Sequence, residues 1–132
     1  MQTVSPYFLL FVRLTIALTW IYQGLWLKVI VRDPHHLEIV RSVGFPDATA
    51  AMLAIGACET LLAAGVLSGL FHRAISTFQI VILLAMNLTG ILFGGGNISH
   101  PFGLLIGNLP LLICIALIGL YGPGALSLRS RG

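Results

Sequence analysis

The sequence predicts an all-α integral membrane four-helix bundle, and three observations lead there. Apolar residues make up 58% of the 132 residues and charged residues only 8%, against roughly 25% charged in soluble domains. Four apolar stretches are each long enough to cross about 30 Å of hydrocarbon at about 1.5 Å per residue. None shows the polar–apolar alternation of barrel strands, which leaves helices as the way to satisfy the backbone inside lipid. So little polar surface cannot cover so much apolar surface in water, so the surrounding solvent must itself be apolar. The length suits a single transmembrane domain over residues 1–132.

The first span runs from about Tyr7 to about Val31. Residues 1–6 lack the basic segment of a signal peptide and the following apolar stretch is too long for one, so this span is expected to stay in the mature protein. The connection from Arg32 to Pro46 holds most of the soluble charge. Within it, Asp33-Pro34 is a helix start, an acceptor at the cap followed by proline in the first turn. Leu37, Val40 and Val43 then form an apolar edge opposite Glu38 and Arg41, and Gly44 can close the helix. A short interfacial helix on the membrane surface is the expectation.

The second span runs from about Ala48 to about Leu70, and a tight Phe71-His72-Arg73 turn leads into the third, about Ala74 to about Phe93. A glycine-rich connection, Gly94 to Pro101, precedes the fourth, about Leu104 to about Tyr121. That span is the shortest, with Pro110 near its start, and Gly122-Pro123-Gly124 stops it. An even number of spans puts both termini on one side. Arg13, Arg73, Arg129 and Arg131 lie toward that side and Lys28, Arg32 and Arg41 toward the other, a small excess that favours cytoplasmic termini. The net charge of +3 therefore concerns topology and anionic lipid, not nucleic acid. Cys58 and Cys114 lie within spans, far apart and in no Cys-x-x-Cys pair, so they read as small apolar core residues.

Ionisable residues inside a span cost several kcal/mol and need a reason. Arg13, Ala17, Trp20, Gly24 and Lys28 follow one another at steps of four and three and so share one face of the first helix. That face is either a wall of a polar cavity, or two cations snorkelling from the ends beside a glycine that permits close packing. Glu59 lies near the middle of its span, where snorkelling cannot reach water, so it is protonated or has a cationic partner. Counted from the outer helix ends, Glu59 lies about 18 Å deep, Arg13 about 27 Å and Lys28 about 5 Å. The spacing opposes an Arg13–Glu59 pair and leaves a gap between Glu59 and Lys28 for water or a ligand head group. Glu59 is expected to cluster with Arg13 or Lys28, with Gln79 or Asn87 as hydrogen-bond companion. Gln79, Asn87 and Gly90 share a face of the third helix, where the amides suit interhelical hydrogen bonding. His100, before a proline, is either a loop-stabilising residue or a titratable group beside the cavity. Of the aromatics, Tyr7 and Trp26 best suit the two membrane interfaces.

Three groups of residues resemble the DoxX-like family of small membrane proteins, in matching order and spacing. They are Trp20-Ile21-Tyr22-Gln23-Gly24-Leu25-Trp26-Leu27-Lys28, then Gly56-x-x-Glu59, then His100-Pro101-Phe102-Gly103 with Asn108 close behind. The resemblance covers about Phe8 to about Tyr121 and implies a four-helix membrane bundle. It also implies redox company, because relatives include the membrane subunit of thiosulfate:quinone oxidoreductase and others serve beside soluble oxidoreductases.

Three functions remain open. One is a subunit or accessory protein of a quinone-linked redox complex, with Glu59 and His100 as candidate proton-handling groups. Arg13, Trp20, Gln23, Gly24, Lys28, Gln79 and Asn87 are its further candidate ligand contacts. Electrons would come from a soluble oxidoreductase partner, since the sequence offers no metal cage, haem-ligating histidine pair or nucleotide-binding glycine loop. The second is a non-catalytic membrane anchor or assembly factor. The third is a small-molecule or lipid-binding transporter, homo-oligomeric if it forms a path. Whether the chain is itself an enzyme stays undecided by its residues.

Overall fold

The computed structural model describes residues 4–93 and 101–127, with the side chains of 101 and 102 left aside. Helix α1 (Pro6–Trp20) runs straight into a π-helical stretch (Ile21–Ile30). Then come α2 (Pro34–Val43), α3 (Ala48–Ser68), α4 (His72–Phe93) and α5 (Pro101–Tyr121). Four helices are long and apolar enough to cross a membrane: Pro6–Ile30, Ala48–Ser68, His72–Phe93 and Gly103–Tyr121. The molecule is a multi-pass membrane protein whose surface meets lipid through side chains such as Phe11, Leu61 and Leu120.

Consecutive spans run antiparallel. The first packs on α3 and α5, and α4 closes the ring between those two. The core is the side chains these faces share: Leu9, Val12, Ile16 and Ala17 of α1 against Leu62, Ala63 and Val66 of α3, Leu83 of α4, and Ile115 and Ile118 of α5. Pro110 falls in the middle of α5, because that helix begins earlier than hydropathy alone suggests.

The interfacial helix α2 is capped as its sequence requires. Asp33 accepts a hydrogen bond from the His36 amide, Pro34 occupies the first turn, and Gly44 ends the helix at φ 109°. That left-handed backbone suits glycine at little cost. The apolar edge of α2 turns onto the bundle: Val40 and Leu37 pack against Ala48, Met52 and Ile55 of α3. Glu38 and Arg41 pair on the outer, exposed side. The helix thus forms a roof over one end of the bundle.

Arg13 secures the other end. It is 2% exposed, and its guanidinium donates to the carbonyl oxygens of Pro123 (2.7 Å), Ala125 (3.1 Å) and Leu126 (2.8 Å). The Ala125 amide in turn donates to the Pro6 carbonyl at 3.0 Å. The segment after α5 therefore folds back across the start of α1. Five N–H donors in one planar group suit a cluster of carbonyls that no helix satisfies. Arg13 does not snorkel to water, and it is not a wall of the polar cavity. Cys58 also departs from expectation: it is exposed on the lipid side of α3, while Cys114 is half-buried.

Candidate functional site

The stripe Arg13, Ala17, Trp20, Gly24 and Lys28 is buried throughout, and its lower part builds the site. Gly24 and Gly56 set the distance between the first span and α3. A Cβ on Gly24 would lie 2.6 Å from the Glu59 Cβ and 2.8 Å from the Gly56 carbonyl oxygen. A Cβ on Gly56 would lie 2.9 Å from the Gly24 carbonyl oxygen and 2.9 Å from the Lys28 Cβ. Two glycines facing each other let the backbones touch, a common device between membrane helices.

That approach brings Lys28 to Glu59. Lys28 Nζ lies 2.9 Å from Glu59 Oε1, with the side chains 6% and 4% exposed. The expected gap between them is therefore absent. Counting depth along straight α-helices put the two at different levels. The first span crosses α3 at the glycines, and its last ten residues form a π-helix, which is wider and rises less per residue. The contact is an ion pair without hydrogen-bond alignment, since Glu59 Oε1 has no aligned donor among the described residues. Lys28 Nζ donates instead to the Gln23 carbonyl at 3.1 Å, five residues back on its own helix. π-helical turns are rare and concentrate at functional sites.

The amides expected beside Glu59 bind elsewhere. Gln79 Oε1 accepts from the Trp20 indole Nε1–H at 2.8 Å, across the bundle. Asn87 Oδ1 accepts from Asn108 Nδ2 at 2.9 Å, tying α4 to α5. Asn87 Nδ2 is buried with no partner among the described residues. Helical reach explains this arrangement: Gln79 lies two turns further from the roof than Asn87, opposite the indole.

These groups surround a cavity of about 420 Å³ beneath α2, within the usual range for small-molecule sites. Its polar lining includes Thr19, Gln23, Lys28, Glu59, Asn87, Thr89 and Asn108, and the rest of its wall is chiefly apolar, with Trp20, Ile55, Leu83 and Met86 prominent. His36 contributes from the roof, with Nδ1 2.7 Å from Asp33 Oδ2. That hydrogen bond holds the Asp33 carboxyl below the usual carboxylate range. Of the residues singled out in the sequence, Trp20, Gln23, Lys28, Glu59 and Asn87 line the cavity, and Gly24 and Gln79 support it from behind. Arg13 is at the far end, and His100 lies outside the described residues. Sequence reasoning passed over Thr19 and Thr89 and, with them, the titratable His36. The signal for His36 was the Asp33-x-x-His36 spacing, which puts both side chains on the first turn of α2.

The sequence profile of the DoxX-like family matches residues 17–116. That stretch contains every cavity-lining side chain named above. No curated protein and no solved structure matches the chain.

Proposed function

The chain belongs to the DoxX-like family, and on that premise we propose that it is the membrane subunit, or an accessory protein, of a quinone-linked redox complex. The observation that carries the reading is the cavity itself: about 420 Å³ of chiefly apolar space with an under-satisfied donor and acceptor in its polar wall. Asn87 Nδ2 has no partner among the described residues, and the Lys28 ammonium has three hydrogens, of which the Gln23 carbonyl takes one. A flat, uncharged ring with two carbonyl oxygens suits such a wall, with its apolar body against Trp20, Leu83 and Met86. The hydroxyls of its reduced form would find an acceptor in Glu59. Electrons would come from a soluble oxidoreductase docked on the bundle, because the residues offer no redox centre of their own.

Mass spectrometry of a lipid extract from gently purified protein tests this. The reading expects a quinone near one per chain in the wild type, and much less when Asn87→Leu fills the wall. A wild type that carries no quinone, or a variant that carries as much, would overturn it.

A second reading has its own observation. The direct Lys28–Glu59 pair and the Arg13 clamp are what a non-catalytic anchor would use to specify helix packing. In that case Glu59→Gln lowers thermal stability and changes no bound lipid. A ligand site instead loses its quinone, whatever the change in stability.

A further inference from the structure

The roof of the cavity holds a titratable pair that the redox reading does not use. His36 lines the cavity from α2 while its side chain is still 26% exposed, so the imidazole touches both the ligand space and the outer edge. Its Nδ1 faces Asp33 Oδ2 at 2.7 Å, which leaves Nε2 as the nitrogen available to the cavity. A carboxylate on one ring nitrogen fixes the orientation of the imidazole.

We infer that His36, oriented by Asp33, is a ligand-binding residue that donates a hydrogen bond to an oxygen of the quinone-class ligand and makes binding depend on pH. This rests on the quinone reading of the cavity and adds a residue and a pH dependence to it. The group faces charges from each neighbouring wall. Lys28 stands on the π-helical wall and Glu59 on α3. Among the described residues, those that α4 and α5 bring to the cavity wall are uncharged. On α2 itself the partners are Asp33 and the edge-on ring of His35, 6.3 Å away. Protonated, His36 offers Nε2–H as a charge-assisted donor. Neutral, with its one hydrogen held toward Asp33, it presents a bare Nε2 that cannot donate to a carbonyl oxygen.

The test uses the full-length protein in lipid nanodiscs and a short-tailed ubiquinone as probe, with affinity read from quenching of tryptophan fluorescence between pH 5 and 9. Wild-type Kd should rise about tenfold as pH climbs through the histidine range. His36→Gln should flatten that profile. Asp33→Asn keeps the helix cap, since asparagine caps as well as aspartate, yet removes the carboxylate. Its profile should differ from the wild type's, which a merely structural role would not produce. A wild type that binds the probe with a flat profile, or a profile unmoved in both variants, overturns the role of His36 and leaves the cavity reading standing. A wild type that binds no probe at any pH overturns both.

Discussion

Replacing Gly24 by alanine adds one carbon where the first span and α3 touch. That carbon would lie 2.6 Å from the Glu59 Cβ and 2.8 Å from the Gly56 carbonyl oxygen, whereas nonbonded carbons settle at about 3.5–4.0 Å. The obstacle includes backbone, which cannot rotate away, so the helices must part by roughly 1 Å. The Lys28–Glu59 distance of 2.9 Å would lengthen with them. Overpacking of this kind costs about 1–3 kcal/mol. Gly56→Ala meets the same gap from the other side, so the double variant should cost less than the sum of the two. Gly107 supplies the control, because nothing lies within 4 Å of a Cβ built there. Alanine at that helical position should be neutral or stabilise by about 0.5–1 kcal/mol. Equilibrium unfolding in mixed detergent and SDS micelles reads all four variants. If Gly24→Ala and Gly107→Ala behave alike, or the Gly24 and Gly56 effects add fully, the backbone contact does not hold these helices.

Other expectations follow from the same geometry. Lys28→Met should cost about 3–5 kcal/mol by stranding Glu59, and Lys28→Met with Glu59→Leu should recover much of it; the same unfolding assay decides. Arg13→Gln should release the fold-back of residues 123–126, read as faster trimming of the C-terminal segment by a carboxypeptidase while the spans stay intact. Asp33 has a lowered carboxyl pKa, with its hydrogen bond to His36 as the main cause. Its contribution to α2 is therefore complete above the ordinary carboxylate value of about 3.9 and is lost as pH falls through the lowered value. Amide exchange at His36 should accelerate there in the wild type, and Asp33→Asn should remove the pH dependence.

Hydropathy made the four spans and the surface helix legible, because lipid punishes every polar residue that lacks a reason and every unpaired backbone group. The buried stripe on the first helix was legible for the same cause: Arg13, Trp20, Gly24 and Lys28 recur at helical spacing. What the stripe does was not, since burial alone does not name a partner. Arg13 binds carbonyls of the returning C-terminal segment, a contact more than a hundred residues away in sequence. Lys28 reaches Glu59 because Gly24 and Gly56 let the first span and α3 touch, and helical spacing alone does not say which glycines will face each other. The Asn87–Asn108 and Trp20–Gln79 bonds depend on which helices are neighbours, a question that hydrophobic periodicity leaves open.

The cavity reading faces its most direct test in photoaffinity labelling with an azido-quinone in native membranes, followed by peptide mapping. The account predicts label on the cavity wall, at Trp20, Met86 and the residues around Asn87, and competition by excess unlabelled quinone. Label confined to lipid-facing side chains such as Phe11 and Leu61, or label that unlabelled quinone does not displace, would contradict it.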